Sequence, residues 1–594
     1  MSEGSESAAL AELAKRRGFF FGSSESYGGV GGFYTYGPQG AALKSNVEEA
    51  WRDRFAVQEG NLEIEAPTIM PEPVFEASGH LDGFDDMLVE CAECGESHRA
   101  DHLIEDNSNL EDAETLSPEA AAEKIAELGL HCPNCDAELA GQEVEDFNLM
   151  FATNIGPGSK TPGYLRPETA QGIFVEFPRI KAYARNSLPF GVTQVGRAYR
   201  NEISPRKNIV RTREFTQAEL EQFIDPERDE PDLSSVEDVE VLLYPITEQE
   251  KDDGQYLTTT IGEAVEEGII ANGWIGYYLG IAQEWYEHVG VDMDRFRFRQ
   301  HLPGERAHYA ADCWDAESEV DGDWIEIAGF AYRGDYDLTK HGEHADDDFT
   351  IFQQYDEPKT VERAVVDPDM ATLGPEFGAK AAGVADALEA LAAENPEAFG
   401  SDEVTVEVDG EEIAVDTEIA NFSVETQTEA GEHVTPHVVE PSFGIDRTVY
   451  TLLAHAYEND EVDGEARTFL SLSPAVAPTN VGVFPLVSNV DELVELADDV
   501  AAELRAAGFA VVYDDSGSIG RRYRRQDEVG TPFCITIDRD GIEGEGADTV
   551  TIRERDTGRQ VRLPVSSLVE TFVGLRAGTT AFDDVVEAYE AVEA

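Results

Sequence analysis

Two runs of alternating residues, 192–202 and 211–223, meet across the short stretch "SPRKN" at 204–208, and this pattern constrains the chain more than any other segment. A period of two puts every second side chain on one face of a strand, and "SPRKN" has turn chemistry, so the segment predicts an antiparallel hairpin. One face of its second strand would carry Arg211, Arg213, Phe215, Gln217, Glu219 and Glu221, and one face of its first would carry Arg200 and Glu202. Within 196–215, "GRAYRNEISPRKNIVRTREF", six basic residues stand against two acidic ones, whereas the whole chain has 43 Lys and Arg against 122 Asp and Glu. Positive charge gathered here points to an anionic ligand, with Arg200 and Arg211 for phosphate oxygens, Phe215 for stacking and Glu219 for a cation alongside. An exposed, salt-bridged hairpin is the alternative for this segment alone.

At 594 residues the chain has room for two to four domains with cores of their own, and 41% hydrophobic content argues against disorder despite a formal net charge of −79. Only 10 of the 43 basic residues are Lys. An acidic surface short of Lys predicts a salt-loving organism's protein: in molar salt the Debye length is about 3 Å, so self-repulsion is screened and a polyanionic partner is not turned away. The start, "MSEGSESAALAELAKRRGFFFG", has no secretory pattern, and the uncharged stretch "GIIANGWIGYYLGIA" at 268–282 is too short for a bilayer, so a cytoplasmic protein with a buried helix there is expected.

Residues 8–17 and 41–58 read as amphipathic helices around an irregular, Gly-rich segment at 21–40, followed by a short strand at 61–71 stopped by Pro67 and Pro71. Short alternating segments over 147–223 predict antiparallel strands, 225–240 an acidic linker or surface loop, and "RFRFRQ" at 295–300 a strand. Residues 341–430 form an acidic insertion with an Ala-rich helix at 379–393 and a hairpin at "VTVEVDGEEIAVD". Strands alternating with helices over 475–594 predict a separate small α/β domain, which leaves 1–340 and 431–474 as one interrupted core and 90–140 as an insertion within it. The expected fold class is α+β, an antiparallel sheet flanked by helices.

"YRNE", loop, "RTREF" resembles motif 2 of class II aminoacyl-tRNA synthetases. The helix 41–58 running into "LEIEAPTIMP" resembles motif 1, the dimer-building element, and "EPSFGIDRTV" at 440–449 resembles motif 3, with Gly444 and Arg447 in place. "RADHL", "LRPETAQGIFVEF", "WIEIAGFAYRGDYDL" and "EPSFGIDR" narrow the likeness to the dimeric glycyl-tRNA synthetases, and "SGSIGRRYRRQDEVGTPFCITID" is similar to that family's anticodon-binding domain. Two departures stand out: Phe443 occupies a position where a small residue is common, and "EIAGF" replaces a Glu-Leu-Glu-Gly type of stretch. Both bear on packing around the adenine and glycine sites.

The resemblance implies activation of glycine by ATP to glycyl-adenylate, then transfer to the 3' end of tRNA(Gly), with Mg²⁺ and a homodimer. It gives Arg200 the α-phosphate, Arg211 the γ-phosphate, and Arg447 and Phe215 the two faces of adenine; Asn201, Glu202, Val210, Glu326, Ile327, Gly444 and Asp446 complete the ATP site, Glu326 also helping to hold Mg²⁺. For glycine it gives the carboxylates Glu168, Glu219 and Glu440 around the ammonium, Ser442 against the α-carbon, and Gln217, Phe215, Arg99 and Arg333 as further contacts. Three carboxylates converging on one site repel unless a cation is present, and a tight pocket excludes alanine by clash.

Cys91, Cys94, Cys132 and Cys135 form two CxxC pairs 37 residues apart, a thiolate set suited to a structural Zn²⁺ in a ribbon-like insertion, with free or redox thiols as the alternative. His98, His102 and His131 are possible substitute ligands, and Cys313 and Cys534 are expected to be buried. "GRRYRRQD" at 520–527 offers Arg521, Arg522, Arg524 and Arg525 around Tyr523 for RNA contacts, or else a solvated helix start. Competing readings are a prolyl or threonyl enzyme of the same class and a catalytically inactive, nucleic-acid-binding relative. The second would be expected to lose Arg200, Arg211 and Arg447.

Overall fold

The computed structural model describes residues 4–592 except 109, 111–112, 159–160, 206–207, 252, 304, 306–311, 409, 463–464 and 544–546. Arg206 and Lys207 of the basic hairpin therefore lie outside the described residues.

A nine-stranded sheet holds the hairpin at its heart. Its order is Leu257–Thr260, Glu240–Tyr244, Phe296–Gln300, Asp312–Val320, Asp323–Gly334, His437–Gly444, Glu214–Ile224, Phe190–Tyr199 and Leu62–Glu63. Pairing is antiparallel from Phe296–Gln300 through Phe190–Tyr199, and one parallel pair lies towards each end. In the hairpin Phe190 pairs with Phe223 and Tyr199 with Glu214. The expected ladder was longer: Arg200, Glu202, Arg211 and Arg213 fall beyond its last pair, in a loop with a single 3-10 turn at Asn208–Val210. A tight turn from Glu202 N–H to Arg200 C=O, 2.7 Å, ends the extended run and frees these side chains from the alternation of the sheet.

Helices cover one face of the sheet. Helix Pro38–Arg52 buries Leu43, Val47 and Trp51 at helical spacing. Helix Gly273–Val289 begins where Asn272 Oδ1 accepts the Trp274 N–H at 2.9 Å and ends at Gly290 in the left-handed region, φ 101°. It is the buried helix expected from the apolar stretch. Between the two helices and the sheet, Phe443 meets Trp51, Phe55, Trp285, Tyr286 and Phe330 with ring centroids 4.7–5.9 Å apart. The pleat that sends Phe443 into this core sends its neighbour Ser442 to the other face, so the bulky ring does not crowd the site.

Three other expectations are corrected. The 21–40 segment is not wholly irregular: Phe20–Gly22 pairs with Tyr34–Tyr36. The 61–71 strand is two short strands, Leu62–Glu63 and Ile69–Pro71, because the chain between them carries Pro67 and cannot sustain a ladder. The 147–223 region is not all strand: Ala170–Tyr183 is a helix, with Ile173, Phe174, Phe177 and Ile180 buried at a spacing that fits a helix and not a pleat.

The C-terminal sheet runs Val511–Tyr513, Val481–Pro485, Phe533–Ile537, Thr549–Glu554, Gln560–Pro564, Glu590–Val592, parallel over its first three strands and antiparallel thereafter. It encloses its own core with helix Asp491–Ala506. Residues Thr350–Thr435 form a compact unit by themselves: a ribbon of Ile351–Val365 with Ser423–Val434, helix Ala381–Glu394, and the hairpin Glu403–Val408 with Glu411–Asp416. Leu373, Val384, Leu388 and Val404 make its core.

Candidate active site

The loop end of the central hairpin opens into a cavity lined by Arg200, Glu202, Val210, Arg211, Phe215, Gln217, Glu326, Ile327, Ser442, Gly444, Asp446 and Arg447, with Ile209, Thr212 and Thr216 between them. Of the residues expected around ATP only Asn201 is missing from this wall. Its backbone N–H instead donates to Leu149 C=O at 2.8 Å, holding the strand end in place.

Each arginine is aimed differently. Arg200 lies over the rings of Phe84 and Phe215, 5.4 Å from each centroid, and donates from Nε to Pro167 C=O at 3.3 Å. Among the described residues no carboxylate forms an ion pair with it. Arg211 Nε donates to Glu202 Oε2 at 2.8 Å. Arg447 Nη1 donates to the backbone and side-chain oxygens of Glu326, both at 2.8 Å, and its Nε to Val210 C=O at 3.2 Å. Partial desolvation at the cavity wall would raise the half-exposed Glu326 carboxyl, but the Arg447 guanidinium holds it below the usual carboxylate range. Asp446, in the first turn of helix Ile445–His455, accepts from the Tyr36 hydroxyl and from the Thr216 N–H, which locks motif 3 to the hairpin strand. Arg213 is a strut: its guanidinium donates to Glu202 C=O and Gly31 C=O.

Gln217 and Ser442 lead from this cavity to a buried cluster of carboxylates. Glu219 accepts from Ser442 Oγ at 2.8 Å on one oxygen, and from the Thr169 hydroxyl and the Ala170 N–H on the other. Ala170 opens the helix Ala170–Tyr183, so the carboxylate sits at a helix N-terminus. Glu168 accepts from Gln171 Nε2 at 2.9 Å and faces His80 Nε2 at 3.7 Å and Arg333 Nη2 at 3.8 Å. Arg333, 2% exposed, donates to Glu440 Oε2 at 2.6 Å and to both oxygens of Asp337. Desolvation alone would raise Glu168, but His80, Arg333 and Gln171 hold it well below its ordinary range. Burial, reinforced by Glu219 and Glu168, pushes Glu440 up to about 8 despite Arg333. Burial and Glu168 likewise raise Glu219. The cluster is thus short of positive charge.

Thr169, Gln171, His80 and Asp337 complete this pocket but carry no signal of their own in the sequence beyond lying in or near the quoted motifs. Arg166 of "LRPET" is a buried strut, donating to Arg197 C=O, Ala66 C=O and Gln194 Oε1 at 2.9–3.1 Å. Gly196 makes room for it, since a Cβ there would come within 2.2 Å of Arg166 Nη2.

Comparison with known proteins decides the family. A glycine–tRNA ligase of Methanothrix thermoacetophila is 48% identical over 577 residues, 97% of this chain and 98% of the relative. The chain belongs to the glycine–tRNA ligase family. Relatives of the same name from Methanothermobacter thermautotrophicus and Archaeoglobus fulgidus are each 46% identical, over 95% and 94% of the chain and 98% and 95% of their own lengths. Residues 480–575 match the family described as "Anticodon binding domain". A solved prolyl-tRNA synthetase of Cryptosporidium parvum, complexed with L-proline and AMP, aligns over 96% of this chain and 75% of its own at 12% identity and a TM-score of 0.49, too loosely to add to the family assignment.

Outside the cavity of this glycine–tRNA ligase relative, three sequence expectations take a different form. Arg99 pairs with Asp86 at 3.0 Å and with Asp101, beside Glu202 and Arg211 and not among the carboxylates of the pocket. Arg522 is 2% exposed, its guanidinium spent on the carbonyls of Pro485, Asp515 and Gly517, while the Tyr523 hydroxyl bonds Thr536 Oγ1. Arg525 bonds Asp514 and Arg524 the Ala466 carbonyl, and of the four arginines of this helix, Ile519–Asp527, Arg521 is the most open to solvent. The expected stacking of a base on Tyr523 is overturned by its packing on Phe484 and under Arg553. Cys534 is buried but Cys313 is only partly so, because it sits at the strand end opposite His301. His301 Nε2 lies 2.7 Å from Asp315 Oδ2, an imidazole–carboxylate pair to which Cys313 is adjacent.

Cys91, Cys94, Cys132 and Cys135 converge, all four Sγ lying within 4.8 Å of one another, with Cys91–Cys135 at 3.6 Å and Cys94–Cys132 at 3.7 Å. His98 Nε2 approaches Cys132 Sγ at 3.2 Å as an outer partner and not a fifth ligand. His131 turns away to the Asp136 carbonyl. The donor set is soft, four-fold and closed, and fits a tetrahedral structural zinc.

Proposed function

We propose that this protein joins glycine to tRNA(Gly) at the expense of ATP. The observation that carries the reading is the placement of three arginines, Arg200 among them with no carboxylate partner in the described residues, on the wall of one cavity whose Ser442 hydrogen-bonds Glu219 of the buried carboxylate cluster. An oxygen of the glycine carboxylate attacks the α-phosphorus of ATP, pyrophosphate leaves, and a ribose hydroxyl at the 3' end of tRNA then takes the glycyl group, releasing AMP. The nucleophile is the substrate's own carboxylate, so the site needs positioning and charge stabilisation and no activated Ser or Cys.

Arg200 and Arg211 take phosphate oxygens, and Arg447 and Phe215 enclose the base. Of the carboxylates on the cavity wall, both oxygens of Asp446 accept hydrogen bonds, while Glu202 and Glu326 each give one oxygen to an arginine; half-exposed Glu326 would hold Mg²⁺ with its other oxygen, and the ion would neutralise charge on the pyrophosphate. Glu168, Glu219 and Glu440 receive the ammonium of glycine. Discrimination against alanine is expected to come from steric exclusion of its methyl group and to require no editing domain.

The sign of one pH effect follows. Glu440, raised to about 8, holds a proton at neutral pH, and the ammonium is attracted only by its ionised form. The KM for glycine is therefore expected to fall as pH rises from about 7 to about 9, with kcat less affected, and Glu440→Gln to flatten the profile. A glycine KM that rises over this range would contradict the assignment.

The finer features of the reading follow the same chemistry. The four-cysteine site holds one Zn²⁺ per chain, measurable by elemental analysis. Cys132→Ser should lose the metal and expose the segment around 85–148 to protease, because the core of this insertion includes Cys91 and Cys132 themselves. A metal-free protein equally resistant to protease would refute that. Motif 1, with Val57 71% and Ile69 47% exposed beside it, provides the homodimer face. Acidic, Lys-poor composition fits a halophile's cytoplasm, and among the described residues no helix is long and apolar enough to cross a membrane. The anticodon-binding domain receives tRNA. The deciding test is glycine-dependent ATP–pyrophosphate exchange in molar KCl beside alanine, serine and proline; exchange with proline and not glycine, or with none from folded protein, would overturn the proposal.

A further inference from the structure

Glu221 lies two residues beyond Glu219 on the same strand and face, with none of its side chain exposed, and neither of its carboxylate oxygens accepts a hydrogen bond. A buried carboxylate without a donor is among the costliest arrangements in a protein, and an isolated charge there is relieved by neutralisation. The charged groups facing it are Glu219 on its own strand, Glu440 on strand His437–Gly444, Arg333 on strand Asp323–Gly334, and Asp337 on helix Tyr336–His344. One cation thus stands among four carboxylates, Glu221 included. That cation is committed: its Nε and Nη2 go to Asp337 and its Nη1 to Glu440, with Glu168 3.8 Å from Nη2. His341, on the same helix as Asp337, supplies no charge, because burial drops it to about 4.

We propose that Glu221 is a positioning residue of the amino-acid pocket, a neutral carboxylic acid that sits behind Glu219 and Glu440 and whose one O–H orients the carboxylates that meet the substrate ammonium. The inference rests on the amino-acid reading of that pocket. Burial and the charge of Glu440 both push Glu221 far above the usual carboxylate range, in keeping with the geometry. A neutral acid at this position adds no further charge behind the carboxylates that meet the ammonium. A glutamine would serve nearly as well, being isosteric and a donor. A leucine would fill the space and leave the carboxylates unoriented.

The test combines spectroscopy with kinetics on the full chain. Infrared spectra at pH 7 should show the C=O stretch of a buried protonated carboxyl that is lost in Glu221→Gln, a readout that needs no activity and so stands apart from the assignment of glycine as substrate. Glu221→Gln should keep the KM for glycine within about threefold and its pH profile unchanged, whereas Glu221→Leu should raise it tenfold or more with the KM for ATP unmoved. Rescue by Gln of what Leu loses, at equal KM for ATP, separates positioning from general damage to the fold. The proposal is overturned if the band is unaffected by Glu221→Gln, if Glu221→Gln itself raises the glycine KM tenfold, as loss of an ionised ligand would, or if Glu221→Leu matches the wild type.

Discussion

Arg200→Ala should lower the rate of glycine-dependent pyrophosphate exchange by about 10²–10³-fold while leaving the melting temperature nearly unchanged. The reason lies in what the side chain does not do. In a chain with 122 acidic and 43 basic residues, nearly every arginine in the core of the fold is engaged by a carboxylate or by several carbonyls. Arg200 has one long hydrogen bond to a carbonyl and two aromatic faces. Stacking on these half-buried rings contributes on the order of 1 kcal/mol, so little stability is at stake. Its guanidinium is held on the cavity wall with donors to spare, and a donor pre-aimed at developing phosphate charge is worth about 3–4 kcal/mol in the transition state. Lysine should not rescue it, because an ammonium cannot lie flat between Phe84 and Phe215 and still present a planar fork. A variant that exchanges at more than a tenth of the wild-type rate would remove Arg200 from the phosphate site.

The parts of this site legible in the sequence are those where motif and local geometry coincide. Alternation placed Phe215, Gln217 and Glu219 on one strand, and the ladder from Phe190–Phe223 to Tyr199–Glu214 agrees. The same rule overran at Arg200 and Arg211, because alternation describes side-chain direction only while the ladder lasts, and nothing in "RNEISPRKNIVRTRE" marks where pairing ends. Alternation over 147–223 predicts strands where Ala170–Tyr183 is a helix, since "GIFVEF" is rich in residues that favour either state and the buried set becomes apparent only over several turns. Basic composition at 520–527 pointed to RNA, yet a guanidinium satisfies backbone carbonyls as readily as phosphates, and the fold used Arg522 for the former. Spacing pairs the cysteines and the 37-residue spacer reads as partly helical, but only the structure shows the four sulfurs brought together beside the helices Ala100–Glu105 and Pro118–Leu128. Burial and missing partners, the features that single out Glu221, exist only in three dimensions.

Glu219→Ala should raise the KM for glycine roughly 100-fold and leave the KM for ATP within about threefold. Glu219 is where the amino-acid pocket is assembled: it ties motif 3 through Ser442 and the helix Ala170–Tyr183 through Thr169 and Ala170 to the central hairpin strand. A hydrogen bond between a charged group and the substrate ammonium is worth about 1.5–3 kcal/mol, and the upper figure corresponds to the expected loss. The substitution also strands two hydroxyls and an N–H that faced the carboxylate, at about 1–3 kcal/mol for each that finds no other partner, so the melting temperature should fall as well. Glu219→Gln distinguishes the two effects. Its amide keeps an acceptor for some of those donors and restores part of the stability, but it presents no charge to the ammonium and turns an N–H₂ towards a donor, so the glycine KM should stay high. Were Glu219 only a brace, Gln would recover binding together with stability. The effect on the KM is expected to persist in molar salt, since the carboxylate is 1% exposed and screening acts on charges that ions can approach.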